Sequence, residues 1–338
     1  RFNRMSINPV EIPTGAVRFN TDSSKMEVYI GGVWMIVSTS IEASGFGGRA
    51  FRVGSGSGGT TIETFQIATE GNAIDTGFDL TTGVHSHATA GSRTRCIAAG
   101  GRSSAGSPYA LQNVIQFFEM TSLSNSIDFG DLTFSQGRTA GVSNQTRMVT
   151  GGHQHSSANN TMNLITIQTT GNAVDFGDVV FARELTSALG SRTRGLIVGG
   201  NVPTPSDVAQ DGMDFFSFAT TGNAIDFGNL TVAGYAPTGM SNNTRGLIAQ
   251  GSGSRGNVID FITIASTGNA QDFGDTQEGK FGAGEFSGPT RCGFFGGYTA
   301  TTKMSSINIH TKGNSTFFGD LTTGGTYIGG HSDVHGGL

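Results

Sequence analysis

A unit of about ten residues recurs six times along the chain and is the strongest constraint on its fold. It reads GNAIDTGFDL in the first copy, and the copies begin at Gly71, Ser124, Gly171, Gly222, Gly268 and Gly313. A second unit, a Thr-Arg pair followed by an apolar run and glycines, keeps the same phase. It begins at Thr94, Thr146, Thr193, Thr244 and Thr290, with a degenerate member at Gly48. Anchors that stay in phase at spacings of 45 to 53 residues indicate an array of equivalent structural units.

Each period predicts four short strands. In one period these are Arg194–Val198, Met213–Thr220, Ala224–Gly228 and a weaker run at Gly234–Met240. Glycine pairs and Gly-Asn turns separate them, because both sequences favour tight turns. Four strands in about 50 residues is the size of one β-propeller blade. The sequence therefore predicts an all-β fold, a six-bladed β-propeller.

The repeat also sets the predicted domain limits. Residues 1–48 lack the repeat and form a first domain, and residues 49–338 form the propeller. The predicted blades span approximately 49–94, 95–146, 147–193, 194–244, 245–290 and 291–338. The final segment HSDVHGGL aligns with the strand that leads into a Thr-Arg unit. It is therefore predicted to join the first blade, which would close the ring without an exposed sheet edge.

Composition agrees with such a fold and excludes others. Glycine accounts for 54 of the 338 residues and charged residues for 13%, which disfavours a mainly helical protein. Glycine does not recur at every third position and there are 7 prolines, so the chain is not collagen-like. Its 24 Phe residues and 36% apolar content exclude a charged disordered chain.

The glycine doublet after a strand, followed by a loop, a second strand and a turn, resembles a Kelch repeat, with the blade pattern of galactose oxidase. The resemblance covers Arg49–Leu338. Kelch repeats usually carry a Trp after the turn before the third strand, and this chain has Asp-Phe-Gly there instead. The copper-ligating Tyr and His constellation of galactose oxidase has no recognisable match. The resemblance therefore implies a Kelch-like scaffold.

The Asp-Phe-Gly units are predicted to be structural. A kinase would have one copy with a nucleotide loop and a catalytic loop, and neither accompanies these units. Phe is predicted to pack between blades, Gly to make the turn, and Asp to cap backbone donors or to pair with the anchor arginines. The predicted ladder consists of Arg95, Arg147, Arg194, Arg245 and Arg291 with Asp128, Asp175, Asp226 and Asp272. The alternative is calcium at pairs such as Asp128 and Asp131, although the oxygen-ligand spacing of known calcium loops is absent.

No other group of residues predicts a catalytic or metal site. His85-x-His87 and His153-x-His155 are pairs that can bind metal, but they occupy different places in their repeats and are predicted to be surface-loop histidines. Cys96 and Cys292 follow anchor arginines in separate blades and are predicted to be free buried thiols. The sequence shows no P-loop, no G-x-S-x-G and no distinct carboxylate pair. We expect no enzyme activity and no cofactor.

Binding is expected where the repeats differ. The loops after the glycine doublets vary most, and propeller symmetry places them on one rim; variable loops on a rigid scaffold commonly carry binding sites. The alternative is that they are tolerated insertions. The candidate rim residues are Arg102, Tyr109, His153, His155, Asp207 and Tyr298.

Net charge and hydropathy limit the possible partners. The formal net charge of −5 argues against nucleic-acid binding that relies on overall positive charge. No apolar stretch approaches 18 residues, so membrane insertion is not expected. The N-terminal RFNRMSINPV lacks the apolar region of a signal peptide and an initiator Met, which predicts a processed or trimmed chain.

The N-terminal domain is predicted to be a small β-meander with strands at Ala16–Asn20, Lys25–Ile30 and Val33–Val37. Its sequence GAVRFNTDSSKMEVYIGGVW resembles a short module of tailed-bacteriophage structural proteins, with thirteen matching positions between Gly15 and Trp34. That module precedes fibre, appendage or decoration domains. A meander of this size is not expected to be stable alone, which suggests attachment or oligomerisation. The alternative is a strand cap on the propeller, and the candidate attachment residues are Arg18, Tyr29 and Trp34.

Together these features lead to three functional hypotheses. The first is a non-enzymatic phage virion protein on the exterior of the particle: a tail fibre, a tail appendage or a capsid decoration. It would contact other virion proteins through residues 1–48, form a homo-oligomer and present the propeller to a host-surface glycan or protein. The second is a secreted or surface carbohydrate-binding propeller of a cell. The third is a metal-dependent oxidase.

Overall fold

The computed structural model describes residues 12–20, 25–30, 32–36, 48–54, 56, 59–103, 110–154, 158–203 and 207–338. These residues form strands, turns and loops without a helix, which confirms the predicted all-β class. Accordingly, no helix of the described chain could cross a membrane. The chain forms two compact units, Arg1–Phe46 and Gly47–Leu338, divided within two residues of the predicted boundary.

The described part of the first unit is a three-stranded antiparallel sheet. Its strands are Val17–Asn20, Lys25–Ile30 and Val33–Ile36, and they pair in chain order. Val17 lies opposite Val28, and Arg18 lies opposite Glu27. Because directly paired residues share a face, this register places apolar residues on one face and polar and aromatic residues on the other.

The described residues of the second unit include six antiparallel sheets that share one order of four main strands, numbered here I to VI. In each sheet the four main strands pair in the order first, second, third, fourth. The strands of sheet I are Gly329–Ser332, Arg49–Val53, Thr61–Gln66 and Ile74–Asp79. Those of sheet II are Ala88–Gly91, Arg95–Ala99, Ala110–Glu119 and Ile127–Gln136. Those of sheet III are Ala140–Ser143, Arg147–Gly151, Thr161–Thr166 and Val174–Asp178.

The remaining sheets follow the same pattern. The strands of sheet IV are Ser187–Gly190, Arg194–Val198, Gly212–Ser217 and Ile225–Asn229. Those of sheet V are Thr238–Ser241, Arg245–Gly251, Gly256–Thr263 and Gln271–Asp275. Those of sheet VI are Gly284–Phe286, Arg291–Phe295, Lys303–Asn308 and Thr316–Asp320. Short strands also occur in the loops after the second strands, at Arg102–Ser103, His153–Gln154, Ala158–Asn159, Asn201–Val202 and Val208–Ala209.

The sheets are offset by one strand from the predicted blade ranges. The strand that precedes each Thr-Arg unit pairs with the strand that follows it, as Ala88–Gly91 pairs with Arg95–Ala99. The range 49–94 therefore contains three strands of sheet I and the first strand of sheet II. The physical reason is the tight turn at Thr-Arg: Ser92 N–H donates to the Arg95 carbonyl at 2.9 Å and joins the two strands as a hairpin.

The C-terminal strand belongs to sheet I, as the sequence predicts. Gly329–Ser332 pairs with Arg49–Val53, which begins near the other end of the second unit. The first strands of the six sheets also contact one another in the cyclic order I, II, III, IV, V, VI, I. Sheet I is therefore assembled from both ends of this unit.

Six buried apolar clusters lie between neighbouring sheets. One cluster packs Phe129 of sheet II against Ile165 and Ile167 of sheet III. The equivalent Phe residues of the next four sheets occupy the same place in their clusters: Phe176, Phe227, Phe273 and Phe318. The sixth cluster joins sheets I and II through Phe51 and Phe118. Each Phe of the Asp-Phe-Gly units thus packs against the following sheet, as predicted.

Hydrogen bonds at the outer strands join the same neighbours. The Asn of each repeated unit accepts a backbone N–H from the fourth strand of the preceding sheet, as Asn172 accepts from Asp131 at 3.0 Å. The six members of this Asn ring are Asn72, Asn125, Asn172, Asn223, Asn269 and Asn314. The backbones approach closely here: a Cβ on Gly130, whose φ is +141°, would lie 2.6 Å from the Gly171 carbonyl oxygen. Glycine in the repeated unit is required by this contact between sheets.

Candidate functional site

The anchor arginines do not pair with the aspartates of the Asp-Phe-Gly units. Each of the five donates from Nη1 to a backbone carbonyl at the end of the third strand in the following sheet, and Arg95 donates to Ile167 at 2.9 Å. The other acceptors are Phe218 for Arg147, Ile264 and Ala265 for Arg194, Ile309 and His310 for Arg245, and Ile67 and Ala68 for Arg291. Arg95 also pairs with Glu119 at 2.7 Å. The predicted Arg/Asp ladder is replaced by arginines that bridge neighbouring sheets.

The aspartates are exposed on the fourth strands. Asp175 and Asp226 accept the N–H of the glycine two residues later, at 3.1 and 3.2 Å. Asp128 and Asp272 are exposed at the equivalent positions. A carboxylate two residues before a turn glycine caps the local backbone, which is the capping role that the sequence left open as one of two possibilities. The predicted Arg/Asp pairing is wrong because the two residues lie on the second and fourth strands of one sheet, and the third strand separates them.

Three buried ion pairs were not predicted. They are Arg52 with Glu63 at 3.3 Å, Arg183 with Asp214 at 3.0 Å, and Arg255 with Asp260 at 2.8 Å. All six side chains are at most 2% exposed. Burial raises the pKa of Asp214, against the opposing effect of Arg183. The available signal was a single carboxylate inside three apolar third strands, TIETFQ, GMDFFS and NVIDFIT.

A ring of residues with positive φ precedes the first strands. Its members are Ser86, Arg138, Leu185, Ala236, Gly282 and Tyr327, one from each sheet, with φ between +49° and +63°. We call it the mouth ring. Leu185 N–H donates to the Arg138 carbonyl at 3.0 Å, and Tyr327 N–H donates to the Gly282 carbonyl at 2.6 Å. Non-glycine residues in this region cost free energy and concentrate at functional sites, which makes the mouth ring a candidate functional site.

The mouth ring surrounds a cavity of about 110 Å³. Below the ring the cavity is lined by the first strands, and the polar lining includes His87, Thr89, Ser187 and Glu285. A second cavity of about 30 Å³ shares Thr89 and Glu285 with it and extends to His335. The six first strands therefore enclose a polar space that begins at the mouth ring.

The lower end of this space is occupied by the last residues of the chain. His335 Nε2 lies 3.0 Å from the Gly91 carbonyl, and Arg192 donates to the Leu338 carbonyl at 2.6 Å. Serine hydroxyls join neighbouring first strands at this level, and Ser143 donates to the Gly91 carbonyl at 2.6 Å. Burial lowers the pKa of His335 to about 4. Hydrogen bonding thus fixes this end of the space.

Two titratable side chains, Glu285 and His87, line the upper cavity and have no counter-ion among the described residues. Burial raises the pKa of Glu285 to about 8, and a hydrogen bond from Ser287 at 3.0 Å only partly offsets this. Burial lowers the pKa of His87 to about 3, and neither ring nitrogen has a hydrogen-bond partner among the described residues. His87 is 6% exposed. Perturbed groups in a cleft are candidates for a functional site.

Arg138 supplies the cationic group of the mouth ring and is already paired. Its guanidinium donates to Glu184, whose side chain is fully buried, while the Arg138 side chain is 32% exposed. Glu184 belongs to the segment that leads into the first strand of sheet IV. The pair neutralises most of the charge at this side of the mouth.

Four aromatic side chains border the mouth ring, and we call them the aromatic cluster: Tyr235, Phe281, Tyr298 and Tyr327. Phe281 and Tyr298 stack with ring centroids 4.8 Å apart and an angle of 17° between planes. Tyr298 is 54% exposed. Tyr327 belongs to both the cluster and the cavity wall, so an aromatic surface continues into the cavity.

The structure separates the predicted rim residues. Tyr298 joins the aromatic cluster, and Asp207 is exposed and accepts from Asn201 at 3.1 Å. Arg102 is half-buried and donates to Gln154. His153 is fully buried against Phe134, with ring centroids 5.1 Å apart, so it does not reach the surface. Tyr109 and His155 lie outside the described residues.

The predicted surface histidines are mostly buried. His85 and His87 are 5% and 6% exposed, because they enter the first strand of sheet II beside the mouth ring. No group of three or more His, Cys, Asp or Glu side chains in the described chain is placed to hold a metal ion. Cys96 and Cys292 are free and buried, as predicted. Burial raises the pKa of the Cys292 thiol to about 12.

The predicted attachment residues come together on one face of the meander. The Arg18 guanidinium lies 4.1 Å from the Trp34 ring centroid, and the Tyr29 and Trp34 centroids are 5.3 Å apart. Arg18 also pairs with Glu27 at 2.7 Å. The opposite face is apolar, and its five exposed side chains were not predicted as a site: Val17, Phe19, Ile30, Val33 and Met35 are 47% to 59% exposed.

Comparison with known proteins adds no family. No protein-family model matches the chain, and no curated protein sequence matches it.

Proposed function

We propose that the chain is a non-enzymatic virion protein of a tailed bacteriophage, a tail fibre, tail appendage or capsid decoration. In this proposal residues 1–48 attach it to other virion proteins, and the six sheets present a binding surface at the exterior of the particle. The sequence resemblance of residues Gly15–Trp34 to phage structural modules motivates the proposal.

The observation that carries the attachment role is the apolar face of the meander. Five large apolar side chains, among them Phe19 and Val33, are about half exposed on a three-stranded sheet. Such a sheet is at the limit of independent stability, and an exposed apolar face is typical of a protein contact surface. A virion partner or a second copy of the meander would cover this face.

We further propose that the second unit is a six-bladed, Kelch-like β-propeller. The cyclic contacts of the six first strands support this, as does the pairing of Gly329–Ser332 with Arg49–Val53. Sheet pairing across the two chain ends would leave no open sheet edge at the seam. The mouth ring and the aromatic cluster then lie at the end that carries the variable loops.

The test begins with purified particles. Mass spectrometry of density-purified virions should detect this chain at a constant stoichiometry to the major capsid protein. Its absence from virions, with secretion by a cell that encodes it, would replace the proposal by the cellular carbohydrate-binding alternative. Stoichiometric copper in the purified chain, with oxidase activity, would replace it by the metal-dependent oxidase.

A matched pair of variants tests the attachment face. Phe19→Asp should remove the chain from virions, because a carboxylate replaces a half-exposed apolar contact. Val208→Asp is the control, since Val208 is equally exposed on the second unit. Val33→Lys repeats the test on the third strand of the meander. Normal incorporation of both meander variants would refute attachment through this face.

A further inference from the structure

We infer that the cavity under the mouth ring binds one uncharged sugar residue at the end of a glycan, with Tyr298 and Phe281 as the outer platform. The inference deepens the proposed function and rests on it, because a virion protein would meet host-surface glycans at the variable-loop end. It commits to a glycan rather than to a protein partner.

Unsatisfied hydrogen-bonding groups in the cavity wall favour a ligand with hydroxyl groups. The cavity wall holds buried polar groups that no described residue satisfies: both ring nitrogens of His87 and the hydroxyl of Thr89. An unsatisfied buried polar group costs about 1–3 kcal/mol. Neutral His87 offers one donor and one acceptor, and the Thr89 hydroxyl offers both. Sugar hydroxyls both donate and accept, so a sugar residue offers hydrogen-bond partners of both kinds.

The charges around the cavity favour an uncharged ligand. Arg138 is neutralised by Glu184, so the mouth offers no unpaired cation to a carboxylate or phosphate ligand among the described lining residues. Burial holds the proton on Glu285 and keeps His87 neutral at pH 7. Protonated Glu285 donates one hydrogen bond and accepts others. An uncharged polar ligand therefore fits better than an anion or an ammonium ion.

The size of the cavity and the aromatic surface beside it favour a single sugar ring. A cavity of about 110 Å³ has room for several water molecules, which suits one sugar ring better than a disaccharide. The rest of a glycan would leave through the mouth ring and pass the exposed Tyr298. Ligand sites commonly combine an aromatic surface with a few convergent polar groups, and the C–H faces of sugar rings pack on aromatic rings.

The experiment uses the full chain on an array of immobilised glycans with defined terminal sugars, followed by titration calorimetry with the matching methyl glycosides. We expect binding to one class of neutral terminal sugar, competed by its free methyl glycoside. Tyr298→Ala should weaken binding at least tenfold, and the near-isosteric Thr89→Val about fivefold or more. Val174→Ala, which changes an exposed apolar residue on the fourth strand of sheet III, should change affinity less than twofold.

Several results would overturn the inference. These are no binding to any neutral glycan, binding only to sialylated or amine-bearing glycans, or unchanged affinity in both Tyr298→Ala and Thr89→Val with intact thermal unfolding. The proposed function fails separately. A chain found in virions that binds no glycan refutes this inference alone, and a glycan-binding chain absent from virions refutes the virion role alone.

Discussion

The contacts between neighbouring sheets, which we call the perimeter, use the same residues in each sheet, whereas the mouth of the shared cavity uses different ones. At the perimeter the same residues recur in sheet after sheet, and the Asn ring, the close-approach glycines and the anchor arginines all join one sheet to the next. At the mouth the backbone recurs but the side chains do not: Arg138, Leu185 and Tyr327 hold equivalent positions with similar positive φ. Repeated residues therefore build the scaffold, and unrepeated residues distinguish the cavity.

The largest effect is expected at the buried ion pairs, which the described residues form in three of the six sheets. Arg255→Met leaves Asp260 buried without its cation and frees the carbonyls of Gln250 and Ile248, so it should lower the unfolding free energy by about 3–5 kcal/mol. Lys303→Ala is the control, because its pair with Glu278 is exposed to solvent and should contribute little to stability. Urea unfolding measures both. Similar losses would show that Arg255 and Asp260 are not desolvated as described.

The glycine contact at the perimeter is tested by two substitutions on one interface. Gly130→Ala and Gly171→Ala both force alanine into a φ near +140° to +152°, but only Gly130 faces a neighbouring backbone at 2.6 Å. We expect a loss of about 2–4 kcal/mol for Gly130→Ala and about 1–2 kcal/mol for Gly171→Ala, measured by urea unfolding. Equal losses would mean that φ alone requires glycine and that the sheets do not approach so closely.

At the mouth end a substitution should stabilise the protein instead. The folded pKa of Glu285 is raised from 4.5 to about 8, so the folded state binds the extra proton between these pH values and stability falls as the pH rises through them. Glu285→Gln removes this loss. It should match the wild type at pH 4 and exceed it at pH 9 by a few kcal/mol, because each unit by which the pKa is raised corresponds to about 1.4 kcal/mol.

Other groups near Glu285 must not contribute to the pH dependence that is assigned to it. Ser287, His331 and His335 line the same lower cavity, and Cys96 and Cys292 lie near enough for Glu285 to raise their pKa values. In the folded protein the pKa values of His331, His335 and Cys292 are about 3, 4 and 12, and that of Cys96 is raised well above its usual value, so the difference curve between pH 4 and pH 9 isolates Glu285. A difference curve that is flat between pH 4 and pH 9 would place its carboxyl group in bulk water.

The smallest effect is expected at the Asn ring. It tests whether the contact between sheets VI and I contributes as much stability as the contacts between the other sheets. Asn72 accepts from Asp320 at 3.0 Å across the chain ends, and Asn223 accepts from Asp178 at 3.0 Å within the chain. Alanine at either position should cost about 1 kcal/mol of unfolding free energy in thermal or urea unfolding. A seam substitution that costs nothing would show that sheets VI and I are not joined as the other sheets are.

Much of the strand pattern could be predicted from the sequence. The runs Arg194–Val198 and Lys25–Ile30 are strands with those bounds, and the strand near the C-terminus pairs with Arg49–Val53. The repeated units identify equivalent positions, and the alternation of apolar and polar residues identifies strands. Both signals can be read from a short stretch of sequence. The sheet limits were shifted because a period has no intrinsic starting point, and only pairing shows where a sheet begins.

The candidate site was largely hidden from sequence reasoning. Among the predicted rim residues that the structure describes, Tyr298 alone joins the aromatic cluster, and His153 is buried. Glu285, His87 and Thr89 meet in the cavity although they lie in sheets VI and II, far apart in the chain. None of these three residues recurs in the other periods, so the sequence repeat that identified the scaffold could not identify them.

The sequence by itself determined an all-β chain with two units, six equivalent periods, buried Phe residues and glycine-rich turns. These follow from composition, alternation and spacing, which act over a few residues. Tertiary structure alone decided the partners of the anchor arginines, the burial of Arg52, Arg183 and Arg255, and the lining of the cavity. Those outcomes depend on which residues neighbouring sheets bring within hydrogen-bond distance, because pairing partners and desolvation are set by packing across sheets.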